Sequence, residues 1–297
     1  MHLRTQHQKP KQMLATVFLP IALGIIMLGL GLGLTIEDFT RVLKFPKAVL
    51  VGLICQMLIL PFVCFGIAVG MGLRPELAVG LMLLSAAPGG AVANLYSHLS
   101  NGNVALNITL TAVNSVLSIF TLPIIVNLSI GYFMADTDTT VTLQFKKVIE
   151  VFAIVLVPVI IGMIVNSKYP DFSKKLEKPF KIISALFLAV IIVAAVLKEQ
   201  ERILIYFKEV GLAALLFNLI SMALGFYLPL LLKIGKKEAI AIGMEIGLHN
   251  GTLAIFIAMN VLKSDAMSFP AVVYSLIMFF TAAGFGWWVS RGEKKEV

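Results

Sequence analysis

Nine runs of mainly apolar residues follow one another along this 297-residue chain, and they are about the length that crosses a lipid bilayer. The sequence is 59% hydrophobic and only 13% charged, whereas a soluble domain is about half apolar and a quarter charged. The pattern predicts an all-α polytopic membrane protein with about nine transmembrane helices. The expected spans are residues 14–34, 47–70, 77–98, 103–133, 146–166, 180–197, 206–232, 237–262 and 268–290.

The distribution of Lys and Arg predicts the orientation. Nine spans place the termini on opposite faces of the membrane. The N-terminal tail and the even-numbered loops hold 10 Lys and Arg, and the odd-numbered loops and the C-terminal tail hold 14. Because cytoplasmic loops carry the excess of positive charge, we expect the N-terminus outside and the C-terminus in the cytoplasm. A net charge of +8 in loops and tails suits a surface beside anionic lipid, so it predicts no nucleic-acid partner.

The most unusual stretch is residues 243–252, Gly-Met-Glu-Ile-Gly-Leu-His-Asn-Gly-Thr, inside the eighth span. An ionised Glu at membrane depth costs at least a few kcal/mol, so such a residue usually faces a cavity or a partner cation. The three glycines loosen the helix and allow close approach of other groups. The stretch predicts a cation site at a helix break, with Glu245 as the charged ligand. The alternative is a protonated Glu245 that is hydrogen-bonded to a neighbouring helix.

A Pro-Gly-Gly sequence at residues 88–90 interrupts the third span and indicates either a proline kink or a full break. Spans 3 and 8 share a glycine break followed by an asparagine, Asn94 and Asn250, and the preceding spans each carry one carboxamide, Gln56 and Asn218. Corresponding broken spans in two halves predict an inverted-repeat transporter. The expected division is an N-terminal tail at 1–13, a first repeat at 14–133, a second repeat at 134–290 and a C-terminal tail at 291–297.

A polar stripe begins the fourth span. Asn103, Asn107 and Thr111 recur at every fourth position, so they share one helix face, and Asn114 and Ser115 continue the stripe. Such residues can simply hydrogen-bond neighbouring helices. For Asn107 and Thr111 we favour cation coordination, because hard cations bind oxygen ligands and the stripe begins beside the break in span 3.

Three segments together resemble the bile acid:sodium symporter family. They are Ala-Pro-Gly-Gly-Ala-Val-Ala-Asn at 87–94, Gly-Asn-Val-Ala-Leu at 102–106 and Glu-Ile-Gly-Leu-His-Asn at 245–250. The resemblance extends from about residue 23 to residue 288. It implies two crossing broken helices, a core domain and a panel domain in the plasma membrane, which in bacteria is the inner membrane. It also implies symport of organic anions, bile acid-like or small carboxylates, with one or two sodium ions by alternating access.

Carried over position by position, the resemblance assigns a first sodium site to Asn94, Asn107, Thr111 and Glu245. It assigns a second site to Gln56, Glu245, Ile246, Leu248 and His249. The organic anion is expected at Gly89, Gly90, Asn94, His249, Asn250 and Gly251. His249 stands where relatives carry Gln, and imidazole nitrogen suits transition metals better than sodium. Either Gln56 and backbone oxygens complete the second site, or His249 gates or titrates near neutral pH.

Two other functions use the same residues. A proton-coupled carrier of organic anions would use Glu245 and His249, and uptake driven by a pH gradient without sodium would identify it. An intramembrane enzyme would use the same pair as acid and base. The sequence lacks an HExxH metal motif and paired carboxylates at membrane depth, so we expect a transporter rather than an enzyme.

Overall fold

The computed structural model describes residues 19–135, 145–176 and 203–291, together with a few positions between 179 and 193. Apart from one isolated β-bridge, these residues form helices and short turns, which confirms the predicted all-α class. We number the helices α1 to α12. Their bounds are α1 Leu19–Leu32, α2 Ile36–Thr40, α3 Pro46–Ile54, α4 Leu60–Gly70, α5 Pro75–Ala86, α6 Ala91–Leu99, α7 Val104–Phe133, α8 Phe145–Lys168, α9 Ile203–Leu231, α10 Lys236–Gly247, α11 Gly251–Phe256 and α12 Phe269–Ser290.

Short irregular turns connect several of these helices. A π-helical turn, Cys55–Ile59, joins α3 to α4, and a second, Ile257–Val261, extends α11. Two 3-10 turns, Arg41–Leu43 and Ala266–Ser268, follow α2 and precede α12. Residues 170–176 are also helical.

Five helices in the described part of the chain are long and apolar enough to cross a membrane: Pro46–Gly70, Val104–Phe133, Ile149–Lys168, Ile205–Leu231 and Ala266–Ser290. They match the second, fourth, fifth, seventh and ninth predicted spans. A sixth candidate, Leu23–Leu32 with Ile36–Leu43, is bent by 78°. The sixth predicted span, 180–197, falls largely outside the described residues. The protein is therefore a multi-pass membrane protein, and nine spans remain a prediction.

The chain bends after α1 close to residue 34, where the first span was predicted to end, but the short helix α2 that follows was not predicted. Thr35 begins a new helix through a capping box with Asp38. The Thr35 backbone N–H and its hydroxyl both donate to Asp38 Oδ2, at 2.6 and 2.9 Å. The other carboxylate oxygen pairs with Arg41. The Asp38 N–H in turn donates to the Thr35 carbonyl at 3.2 Å. Because these contacts pair the polar groups at the start of α2, the chain turns sharply at little cost.

Spans 3 and 8 are both divided, as the Pro-Gly-Gly and glycine-rich sequences predicted. Each contributes a short helix to the interior, since α5 is buried from Leu77 to Ala86 and α10 from Ala239 to Gly247. Large exposed apolar side chains lie instead on the long outer helices, among them Leu128 and Phe280, which are 70% and 78% exposed. Broken backbone therefore lies inside protein rather than against lipid, which is the condition for its occurrence at membrane depth.

Glycine contacts bring the interior helices close to their neighbours. A Cβ added to Gly225 of α9 would lie 2.7 Å from the Cα of Gly243 in α10. A Cβ on Gly31 of α1 would lie 2.2 Å from the Val159 carbonyl oxygen of α8. Small residues at such crossings let helix backbones approach closely. The contact between Gly225 and Gly243 therefore packs α10, which carries Glu245, tightly against α9.

Candidate functional site at the crossing of two broken helices

The breaks in the two interior helices meet each other. The Gly90 N–H donates to the Leu248 carbonyl at 3.2 Å, and the Asn250 N–H donates to the Pro88 carbonyl at 2.8 Å. These two bonds form an antiparallel β-bridge. Each break thus satisfies backbone groups that the other leaves without helical partners, which removes a large penalty at membrane depth. The two crossing broken helices expected from the sequence are confirmed.

The Glu245 side chain lies beside this bridge and is fully buried. The Thr111 hydroxyl donates to Oε2 at 2.6 Å, and the Asn114 amide donates to Oε1 at 3.3 Å. A Cβ added to Gly89 would lie 2.3 Å from Oε1, so the carboxylate rests directly on the backbone of the first break. Among the described residues, no Lys or Arg pairs with Glu245. The carboxylate is hydrogen-bonded but retains unneutralised charge whenever it is ionised.

Three carboxamide oxygens, one on α6 and two on α7, are buried without a hydrogen-bond partner among the residues that the structure describes. They are Asn94 Oδ1, Asn107 Oδ1 and Asn114 Oδ1. Asn107 is oriented by its amide, which donates to the Ala241 carbonyl of α10 at 2.7 Å. A buried acceptor left without a donor costs free energy, so a group of them indicates a binding site for a cation or a donor. Two of these residues, Asn94 and Asn107, were predicted as ligands together with Thr111, and Asn114 was noted in the stripe but not assigned to the site.

A second group of carboxamides holds the ends of the two short interior helices. Gln56 lies in the π-helical turn between α3 and α4, and its amide donates to the Ser85 and Ala87 carbonyls at 3.1 Å each. In the other half, Asn218 of α9 donates to the Gly247 carbonyl at 2.8 Å. The two carboxamides aligned from the sequence therefore perform the same local task. Within the described part of the chain, Gln56 Oε1 and Asn218 Oδ1 are buried without hydrogen-bond partners.

His249 lies at the second break and is buried, like its neighbours Ile246 and Leu248. Its Nδ1 lies 3.0 Å from the hydroxyl oxygen of Tyr274 in α12, and that hydroxyl donates to the Gly247 carbonyl at 2.9 Å. Among the residues that the structure describes, His249 Nε2 has no partner. Sequence reasoning missed Tyr274, because it lies in a mainly apolar span and its only adjacent polar residue is Ser275.

The glycines predicted to bind the anion have different surroundings. Space around Gly90 is open, with nothing within 4 Å of an added Cβ. Gly251 is closely packed, since a Cβ there would lie 2.0 Å from Ser275 Oγ, and its N–H donates to the His249 carbonyl at 2.9 Å. The Asn250 side-chain oxygen accepts a backbone N–H in the first turn of α11. Of the two breaks, the first therefore offers more room for a ligand.

Comparison with known proteins agrees with this arrangement. The sequence model described as the Sodium Bile acid symporter family matches residues 20–206. The chain belongs to the sodium bile acid symporter family. The resemblance based on the three short segments is thereby confirmed. The family is named for symporters, and the relatives described below are named as transporters or cotransporters rather than enzymes.

Similar members of the family come from plants, bacteria and mammals. A probable sodium/metabolite cotransporter of chloroplasts from Oryza sativa subsp. japonica is 28% identical over 94% of this chain and 65% of its own length. An uncharacterized sodium-dependent transporter from Bacillus subtilis is 29% identical over 94% of this chain and 85% of its own. An ileal sodium/bile acid cotransporter from Oryctolagus cuniculus is 26% identical over 92% of this chain and 78% of its own length. The chain thus spans about two thirds of the rice protein.

Proposed function

We propose that this protein is a sodium-coupled symporter of organic anions that works by alternating access. The observation that carries the proposal is the fully buried Glu245 carboxylate, which lies where two broken helices cross and is contacted by Thr111 and Asn114. One negative charge with neutral oxygens around it suits a monovalent hard cation, because such ions bind oxygen and the charges then balance. Membership in a family named for sodium symport supports sodium as that cation.

The first sodium site would consist of Asn94, Asn107, Thr111 and Glu245. These ligands come from three helices, α6, α7 and α10. Asn114 is an additional candidate, since it already donates to the carboxylate and its own oxygen has no partner. An ion bound there would link the second half of one broken helix to the first half of the other. Filling the site therefore stabilises the crossing in one arrangement.

The second sodium site would use Gln56, Glu245 and His249, with the carbonyls of Ile246 and Leu248. Gln56 Oε1 and His249 Nε2 are unpartnered, so both are available to a ligand. The Leu248 carbonyl already accepts the Gly90 N–H, and a carbonyl oxygen has a second lone pair for an ion. Sodium here would neutralise the other side of the same carboxylate. One or two ions would thus couple to transport.

The organic anion would bind next to the first break. Helix α6 begins immediately after Gly90, so its first N–H groups and the positive end of its dipole face the open space there. Gly89, Asn94 and the residues His249 to Gly251 would complete the surroundings. Sodium favours the arrangement of the crossing that presents these groups, so ion and anion each raise the affinity for the other. The substrate class is a bile acid-like or small carboxylate.

Alternating access would come from movement of a panel domain against the core domain that contains the crossing, with the repeats at 14–133 and 134–290. The protein would lie in the bacterial inner membrane among lipids, with the N-terminus outside and the C-terminus in the cytoplasm. An equilibrium between outward- and inward-facing states changes only if a ligand binds one state more tightly. Because the ligands for sodium and the anion come from several helices, their spacing changes when those helices move, and the affinity for sodium and the anion then differs between the two states.

Uptake into proteoliposomes tests the proposal. We expect an inward sodium gradient to drive accumulation of at least one carboxylate in a panel from three-carbon to steroid-sized compounds. Glu245→Gln should abolish sodium dependence, because it removes the charge that balances the ion. Glu238→Gln is the matched control on α10, since Glu238 pairs with Asn103 near the helix start. Full sodium-driven accumulation by Glu245→Gln contradicts the mechanism, and uptake driven by a pH gradient without sodium identifies a proton-coupled carrier.

A further inference from the structure

The imidazole of His249 is held by a short chain of hydrogen bonds that begins at a backbone carbonyl. The Tyr274 hydroxyl donates to the Gly247 carbonyl at 2.9 Å, and its oxygen lies 3.0 Å from His249 Nδ1. The Asn218 amide donates to the same carbonyl at 2.8 Å. All four residues are buried, with Tyr274 and Asn218 fully so.

This chain of bonds selects one tautomer of the neutral imidazole. A tyrosine hydroxyl has a single proton, and the carbonyl of Gly247 can only accept. When that proton points to Gly247, His249 Nδ1 must carry the proton that it shares with the Tyr274 oxygen, and Nε2 carries a lone pair. In the opposite tautomer the hydroxyl turns to Nδ1, one hydrogen bond disappears, and Nε2–H becomes a buried donor without a partner. The first arrangement makes more bonds, so it is favoured.

From this geometry, we propose that Tyr274 is a positioning residue that keeps His249 as the Nδ1–H tautomer, so that Nε2 is a lone-pair ligand for the transported cation. The inference rests on the proposed function, because it concerns the second cation site. His249 Nε2 is buried and has no partner in the described part of the chain. A ring nitrogen with a free lone pair can bind a cation or accept a hydrogen bond, whereas a protonated Nε2 would exclude a cation.

The position of His249 supports a cation as the group that Nε2 meets. The backbone of His249 pairs with Gly89 in the β-bridge, and the Glu245 carboxylate rests on the same glycine. Gln56, whose free oxygen is another unpartnered acceptor, donates to Ala87 two residues earlier. The residues that carry the carboxylate, the amide and the imidazole thus all contact the backbone of residues 87–89 or pair with it. No cationic side chain pairs with the carboxylate among the described residues.

Imidazole ¹⁵N resonances test the tautomer directly, since protonated and bare ring nitrogens have well-separated shifts. The sample is the full chain in nanodiscs with ¹⁵N-labelled histidine, and His249→Gln assigns the signals among the 4 histidines. In wild type we expect a protonated Nδ1 and a bare Nε2, and sodium chloride should shift the Nε2 signal while choline chloride does not. Tyr274→Phe should populate both tautomers. Tyr96→Phe, which loses a comparable bond to the Phe279 carbonyl, should leave the spectrum unchanged.

A sodium titration of thermal stability provides the functional readout. Tyr274→Phe should raise the half-saturating sodium concentration about tenfold, because the competing tautomer places a proton where the ion binds. In the His249→Gln background the same substitution should change it by less than about twofold, since an amide has no tautomer to select. A protonated Nε2 in wild type, or a Tyr274→Phe variant with the wild-type spectrum and titration, overturns the inference. A wild-type protein with no sodium response overturns the proposed function as well.

Discussion

Replacing Gly89 by alanine should remove sodium binding while leaving the fold intact. The added Cβ would lie 2.3, 2.4 and 2.6 Å from Oε1, Cδ and Oε2 of Glu245. Atoms cannot remain at such distances, so the carboxylate must move. It is the end of a flexible side chain, and moving it costs little packing energy. It does, however, break the bonds from Thr111 at 2.6 Å and from Asn114 at 3.3 Å.

The size of the effect follows from those bonds. Hydrogen bonds to a charged group contribute about 1.5–3 kcal/mol each. If the displaced Glu245 carboxylate loses one such bond and is no longer well placed to bind sodium, the free energy of sodium binding falls by about 3 kcal/mol. That is roughly a 100-fold loss of sodium affinity. Gly90→Ala is a control from the adjacent position, because nothing lies within 4 Å of its added Cβ and its backbone is extended. We expect no change in sodium affinity there.

The assay is a thermal-shift titration of the purified protein with sodium chloride, with choline chloride to hold ionic strength constant. A ligand that binds only the folded protein raises its stability in proportion to the logarithm of concentration above Kd. Wild type and Gly90→Ala should give the same sodium Kd. The Gly89→Ala curve should move beyond the range of the titration, and its melting temperature without sodium should fall only by what the two broken hydrogen bonds contribute. A Gly89→Ala curve that overlays wild type would refute the assignment of Glu245 as the ion's charged ligand.

Two further substitutions separate binding from stability. Thr111→Val keeps the shape but removes the hydroxyl that donates to the carboxylate, so we expect about tenfold or greater loss of sodium affinity in the same titration. Thr109→Val, whose hydroxyl donates to its own helix, should titrate like wild type, and equal losses in both would contradict the argument. Gly31→Ala forces α1 away from α8, so it should lower the free energy of unfolding by about 1–3 kcal/mol. Its sodium affinity should be unchanged, and Gly66→Ala, which meets nothing within 4 Å, should alter neither quantity.

Features that depend on local chemistry were predictable from the sequence. Proline lacks an N–H and glycine lacks a side chain, so the break at residues 88–90 follows from those residues alone. The cost of a carboxylate at membrane depth made Glu245 a candidate functional residue before any contact was known. Helical periodicity placed Asn107 and Thr111 on one face. Even the alignment of Gln56 with Asn218 was visible, because each is an isolated carboxamide in an apolar run.

The sequence did not distinguish which polar residues on a predicted face contact the carboxylate. Asn114 and Ser115 are neighbours in the same stripe, yet Asn114 reaches Glu245 and Ser115 bonds within its own helix. The short helix α2 after the first span was also not predicted, although the capping box of Thr35 and Asp38 is a recognisable signal.

For this protein, the sequence by itself determined the class of fold, the places where helices break and the residue that bears the buried charge. Each of these depends on a side chain's own chemistry or on its nearest neighbours. Only the tertiary structure decided that the two breaks pair, that Gly90 faces open space while Gly251 is packed, and that Tyr274 orients His249. Those outcomes require helices from distant parts of the chain to pack against one another, and no local pattern encodes which of their side chains will meet.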